Sequence, residues 1–279
     1  MDKLLLGKNV ADQLKEEIKV RVENFKKNQI EPKLCILRVG EKPDDIAYQR
    51  GATKTMEELG IAIEAIELPN DCTTEQLSDV MQKLNDDNKV HGVLMLRPLP
   101  NHIDENKIRN QIHLDKDVDC MSELALAGVL EPKKAKKKPC TPQAVIEILK
   151  HYNIPMSGKN TVVLGRSTVI GKPVALLLTD ENATVTLCHS KTADLAKVCQ
   201  SADILVSAIG KAKFVIADFV KEGAVVVDVG INFDENGKMV GDVDIDAVMD
   251  KVAGITPVPR GVGSVTTTVL AMNLLSTIK

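Results

Sequence analysis

Two stretches in the second half of the chain carry residue types and spacings suited to holding a phosphorylated ligand. In Val162-Val163-Leu164-Gly165-Arg166-Ser167-Thr168-Val169-Ile170-Gly171-Lys172-Pro173, one glycine directly follows an apolar run and another opens the next helical pattern. That arrangement lets backbone N–H groups and a helix N-terminus face a pyrophosphate. The spacing lacks the middle glycine of the usual dinucleotide fingerprint, so the same letters also suit a plain strand-to-helix turn. The second stretch, Cys188-His189-Ser190-Lys191-Thr192, ends the next apolar run. NAD sites place an acid at such a point, about 20 residues on, to take the ribose 2′-hydroxyl. Ser190, Lys191 and the earlier Arg166 suit a 2′-phosphate instead, which points to NADP rather than NAD. The alternative is a polar loop with an incidental lysine.

These residues meet only if strands and helices alternate around them. Short β-branched runs at 161–164, 183–188, 203–208 and 224–229 are separated by helical patterns, which predicts a parallel sheet covered on both faces. The first half also alternates. A helix over about 10–25 leads to a buried strand at 33–39, and a helix starting at Pro43 ends before Gly60. Strands at 61–68 and 92–96 flank a helix opened by Thr74, and Arg97-Pro98-Leu99-Pro100 stops the last strand. The segment 128–142, with five lysines between Lys133 and Lys138, reads as a solvated loop or domain boundary, the alternative being a hold on an anionic tail. Thr141 and Pro142 then open a helix to about His151. The fold class is therefore α/β, and 279 residues suit about two domains.

Composition removes other classes. Aromatic residues are 2% of the chain, with no Trp, so the stacking platforms of single-strand binders are missing. A net charge of −3 lacks the basic footprint that duplex binding needs, so no nucleic-acid partner is expected. No apolar run reaches the roughly 20 residues that span a bilayer, and Met1 to Gly7 does not read as a signal peptide, so no membrane partner is expected either. Six cysteines without a C-x-x-C pair read as free thiols, which suggests the cytoplasm. Five scattered histidines show no ligand spacing, so no metal is expected.

Taken together, Gly165-Arg-Ser-x-x-x-Gly-x-Pro173, Cys188 to Thr192, Val227-Asp-Val-Gly-Ile-Asn232, Gly241-Asp-Val243 and Ile255-Thr-Pro-Val-Pro259 with Gly261-Val-Gly263 resemble the methylenetetrahydrofolate dehydrogenase/cyclohydrolase family. Val39-Gly40, Tyr48, 92–100, Asp115 to Asp119 and Pro139-Cys-Thr-Pro142 extend the resemblance over nearly the whole chain. It implies a folate-binding catalytic domain at 1–140 plus 265–279, a Rossmann-like NADP-binding domain at 141–264, an interdomain cleft and a homodimer. It implies oxidation of 5,10-methylenetetrahydrofolate to 5,10-methenyltetrahydrofolate by hydride transfer to NADP, then hydration to 10-formyltetrahydrofolate. Carried over residue by residue, it makes Tyr48 and Asp119 catalytic. Tyr48, Leu96, Asp119, Pro259 and Gly261 become folate contacts, and Gly165, Arg166, Ser167, Gly171, Ser190, Lys191 and Ile231 cofactor contacts.

The chain departs from the family where the folate should bind. Ala52 stands where the family has a lysine one helical turn after the tyrosine, on the same helix face. Leu96 replaces a glutamine, Cys120 and Arg260 each replace a glycine, and Ser264 replaces a proline. Strand alternation predicts that Arg97 points away from the side taken by Leu96. A retained dehydrogenase with a lost or weakened cyclohydrolase follows from the missing ammonium group. The alternatives are an ordinary bifunctional enzyme, with Lys54 or Arg97 covering hydrolysis, and a degraded relative that binds folate or nucleotide without turnover.

Overall fold

The computed structural model describes residues 3–278. In chain order the helices are α1 (Gly7–Lys27), α2 (Pro43–Glu58), α3 (Thr74–Asp86), α4 (Glu105–Gln111), α5 (Glu123–Ala127), α6 (Cys140–His151), α7 (Gly171–Asp180), α8 (Leu195–Cys199), α9 (Ile245–Val248) and α10 (Gly263–Thr277). The strands are β1 (Lys33–Val39), β2 (Ala62–Leu68), β3 (Gly92–Met95), β4 (Asn160–Leu164), β5 (Thr184–Cys188), β6 (Ile204–Ser207), β7 (Val225–Asp228), β8 (Asn232–Phe233), β9 (Met239–Val240) and β10 (Gly254–Ile255). Among the described residues no helix is long and apolar enough to cross a membrane.

Contacts divide the chain into two compact units. One holds the segment through Asp12 together with Cys140–Thr266, and the other holds Gln13–Pro139 together with the residues from Thr267 on. The sequence division put the start of the chain with the folate-binding residues; the contacts group it with the later ones. The cause is local pairing: Leu4 bridges Ile255, and the Leu5 N–H donates to the Ile255 carbonyl at 2.8 Å.

The unit built on Gln13–Pro139 has a three-stranded parallel sheet in the order β2-β1-β3. Leu34, Cys35, Ile36 and Leu37 of the central strand are all fully buried, as a strand covered on both faces requires. On the edge strand, Glu64 and Glu67 stay exposed, charges that discourage further strand pairing. Helix α3 starts at a reciprocal capping box, in which Thr73 Oγ1 accepts from the Gln76 N–H and Gln76 Oε1 accepts from the Thr73 N–H.

The unit built on Cys140–Thr266 has a five-stranded parallel sheet ordered β10-β7-β6-β4-β5, with a separate antiparallel pair β8-β9. Strand order reverses between β4 and β6, the arrangement that opens a crevice at the carboxyl ends of the strands. Its core is aliphatic, with Val162, Leu164, Leu205, Val226 and Ile255 buried together. The chain is thus two α/β domains, and the scarcity of aromatics is met by Val, Ile, Leu and Met. All six cysteines are buried free thiols.

One lysine departs from the expected solvated loop. Lys137 is buried, its amine donates to the Leu114 carbonyl, and desolvation lowers its proton affinity.

Candidate active site

In the five-stranded unit, the carboxyl ends of β4, β5 and β6 surround a cavity of about 450 Å³. Gly165, Arg166, Ser167 and Ser190 line it, as the sequence implied, together with His189, Leu195, Lys211 and Phe214, which the sequence reading did not single out. The turn can be made only with glycine at two points. Gly165 has φ +125°, and a Cβ there would lie 2.2 Å from the Ala208 carbonyl oxygen; a Cβ on Gly171 would lie 2.0 Å from the Gly165 oxygen. Ser167 Oγ accepts from the N–H groups of Ile170 at 3.1 Å and Gly171 at 3.3 Å, which closes the entry to α7 and leaves its O–H to donate outward.

The segment after β5 is equally tight. The His189 N–H donates to Thr192 Oγ1 at 2.9 Å, and the Lys191 N–H donates to His189 Nδ1 at 3.1 Å. The turn presents Ser190 to the cavity, while Lys191 is exposed and outside the lining. Across the cavity, Lys211 Nζ sits 5.5 Å from the Phe214 ring centroid, a cation above an aromatic face that itself packs edge-on to Phe219. A dinucleotide fits this setting: close backbone, a helix start, apolar walls for a ring, and Arg166 and Lys211 as cations.

A second cavity of about 240 Å³ lies beyond the ends of β7 and β10 and is lined by Asp228, Ile231, Pro259, Arg260 and Gly261, among others. Pro259 and Gly261, expected from the sequence to meet folate, thus share a cavity with Ile231, expected to meet the cofactor. Its floor is organised by two aspartates in motifs whose roles the sequence left open. Asp228 accepts from the N–H groups of Gly230, Asp242 and Val243 at 2.9–3.0 Å. Asp242 accepts from Ser207 Oγ, the Ile209 and Lys211 N–H groups and Asn232 Nδ2 at 2.7–3.2 Å. Burial, with Asp242 close by, pushes the Asp228 carboxyl up to about 7 against the pull of its N–H donors. Arg260 has φ +79°, a left-handed conformation that favours glycine.

In the three-stranded unit, Asp44, Asp45, Tyr48, Leu96, Arg97 and Asp119 line a cavity of about 290 Å³ with Leu94 and Met95. Tyr48 rides on α2, which is tethered beside it: Arg38 donates to Gln49 Oε1 at 2.8 Å and pairs with Glu67 at 2.8 Å, and Gln49 donates to Glu67 at 2.8 Å. Asp119 sits in a turn held by buried Asp117, which bridges to Val93 of β3 and accepts from the Met121 and Ser122 N–H groups at 2.9 Å and from Ser122 Oγ at 2.6 Å. Asn273 of α10 donates to the Val118 carbonyl at 2.8 Å from the other side.

Arg97 contradicts the alternation rule. Because β3 ends at Met95, the residues after it no longer alternate, and Arg97 lines the same cavity as Leu96, 3.6 Å from Glu105. Lys54 is exposed and outside the lining, and Ala52 is fully buried, with no side chain to reach the cavity. Cys120, at the second replaced glycine, also keeps a positive φ of 54°. Three aspartates against one arginine make the lining net acidic, a setting in which a delocalised cation is favoured.

Comparison with known proteins gives consistent matches. The family model for the tetrahydrofolate dehydrogenase/cyclohydrolase catalytic domain matches residues 5–119, and that for the NAD(P)-binding domain matches residues 139–279. The chain is 52% identical over 276 residues to the bifunctional protein FolD of Clostridioides difficile, covering 99% of this chain and 96% of that protein. It is 52% identical over 275 residues to the FolD of Alkaliphilus oremlandii, with the same coverage. Among solved structures, the bifunctional FolD of Campylobacter jejuni superposes with a TM-score of 0.95 at 39% identity, covering 98% of this chain and 97% of that one. The Trypanosoma brucei enzyme, solved with NADP and an inhibitor, superposes at 0.93 and 34% identity, covering 98% and 96%.

Proposed function

The chain belongs to the tetrahydrofolate dehydrogenase/cyclohydrolase family, and from that premise we propose how its own residues divide the work of the reaction. It is an NADP-dependent dehydrogenase that oxidises 5,10-methylenetetrahydrofolate to 5,10-methenyltetrahydrofolate. The observation that carries this reading is the turn at Gly165 and Gly171, where any Cβ would strike the chain's own carbonyl oxygens, so that β4 passes tightly into the N-terminus of α7, a setting suited to a pyrophosphate. Bound NADP supplies the hydride acceptor. Arg166 and Ser190 hold the 2′-phosphate by charge-assisted hydrogen bonds, with Lys191 adding charge from outside the lining. Ser167 donates its O–H to the pyrophosphate.

On the folate side, Asp119 anchors the pterin ring and Tyr48 positions the substrate. Hydride departure leaves a cation spread over two folate nitrogens. The acidic lining of Asp44, Asp45 and Asp119 favours that product, and an uncharged Ala52 removes the repulsion a lysine would exert. Hydration has the opposite need, a group that moves protons beside the reacting carbon, and neither Ala52 nor Leu96 supplies one. The dehydrogenase therefore outpaces the cyclohydrolase in this chain. Arg97 favours a second reading, in which a guanidinium in the lining orients the attacking water and both activities persist.

Reduced-nicotinamide absorbance with methylenetetrahydrofolate tests the first activity; no signal with NADP or NAD refutes it. Decay of methenyltetrahydrofolate tests the second, where hydrolysis as fast as oxidation would favour the Arg97 reading. Ala52→Lys is expected to raise hydrolysis about a hundredfold, the low end of general acid–base contributions. A homodimer in the cytoplasm completes the proposal, and a monomeric mass by light scattering would remove its first part.

A further inference from the structure

The chain places an arginine where its family has glycine, and the structure keeps that residue in the glycine conformation, so what the side chain does there needs a reason. Arg260 lines the cavity beyond β7 and β10 with Asp228 and Ile231, and its guanidinium has no ion-pair partner among the described residues. Its carbonyl accepts from the Gly7 N–H at 2.9 Å, which ties the loop at this point, while the side chain itself is exposed at the cavity rim.

Sheet order says which part of a dinucleotide meets it. The pyrophosphate turn follows β4, and the 2′-phosphate residues follow β5, at one edge of β10-β7-β6-β4-β5. The adenosine half therefore lies toward β5, and the other half runs over β6 toward β7 and β10, where Arg260 stands. The nicotinamide ring is cationic when oxidised and neutral when reduced. When the folate C–H bond breaks, its electron pair leaves with the hydrogen as hydride to the ring; the ring loses its positive charge and the folate gains one. A cation held near the ring disfavours the oxidised form more than the reduced one.

We propose that Arg260 is a redox-state selector, biasing the nicotinamide cavity toward NADPH over NADP⁺. The proposal deepens the dehydrogenase reading above and rests on it. Lys211 belongs to the adjoining cavity, so among the described residues Arg260 is the one cationic side chain of this lining.

The test measures dissociation constants of the oxidised and reduced cofactor, NADPH by its fluorescence and NADP⁺ by competition, for the intact protein and for Arg260→Gln, Arg260→Gly and Arg260→Lys. The ratio of the NADP⁺ constant to the NADPH constant is expected to fall about threefold or more in the Gln and Gly variants and to hold in the Lys variant, with 2′,5′-ADP affinity unchanged in all three. An unmoved ratio in Arg260→Gln overturns the proposal. A matching change in 2′,5′-ADP affinity also overturns it, because the charge would then act on phosphates. Failure of the unaltered chain to bind either cofactor form would instead overturn the dehydrogenase reading.

Discussion

The turn after β4 is built from backbone, whereas the cavity around Asp119 is built from side chains. At the first, Gly165 and Gly171 leave no room for a methyl group, and Ser167 spends its acceptor capacity on two backbone N–H groups. At the second, Tyr48, Leu96, Arg97 and Asp119 project from three separate segments into open space. A site made of backbone tolerates few changes of letter, and its chemistry stays as it was. A site made of side chains can be rewritten one residue at a time, and each change alters which of two reactions it assists.

Four measurements bear on that contrast. Asp119→Ala is expected to lower kcat/KM for methylenetetrahydrofolate about 100-fold, the loss of a charge-assisted anchor, while NADP⁺ affinity stays unchanged. Equal loss of both would show that the two cavities do not act separately. Gly171→Ala forces a methyl group to within 2.0 Å of a carbonyl oxygen; it should cost about 1–3 kcal/mol in urea unfolding and weaken NADP⁺ binding, whereas Ala52→Ser should do neither.

The third measurement concerns pH. Asp228 holds its proton in the folded chain up to about pH 7 but loses it near the usual carboxylate value when unfolded. Its protonation thus contributes stability that is fully present below about pH 4 and is lost as pH rises through about 7. Asp228→Asn should flatten the fall of the urea midpoint between about pH 4 and 7; parallel curves would refute this assignment. Last and smallest, Arg260→Gly should stabilise the fold by about 1 kcal/mol by relieving a left-handed conformation at an exposed site. No gain would mean that contacts of the arginine offset the strain.

Much of the frame was legible because both sheets are parallel and buried on two faces. Near-continuous apolar runs marked β1 and β4 to β7 to within a residue or two. The two-residue strands β8, β9 and β10 left no periodic trace, and the pairing of Leu4 with Ile255 is a contact between chain segments that no local pattern encodes. Gly165 and Ser190, placed from strand and turn position, line the cavity after β4, and Asp119, placed only by family resemblance, lines the one beside Tyr48. Arg97 was misread because alternation was carried past the end of a four-residue strand. Lys211 and Phe214 were missed because their cavity forms only when the ends of β4, β5 and β6 meet. Buried Lys137 looked like its exposed neighbours, since charge composition does not reveal which amine finds a carbonyl.

The carboxylate of Asp242 has a further consequence for how this nucleotide face can diverge. One side chain ties the end of β6, the segment to Lys211 and the start of β8 to a single point. Those segments are therefore coupled as one block: the side chains they display can be exchanged like teeth on a key, while the blade that carries them keeps its outline. Recoding cofactor choice by swapping side chains at Lys211 or Phe214 should thus succeed where transplanting a single loop without its Asp242 attachments would not.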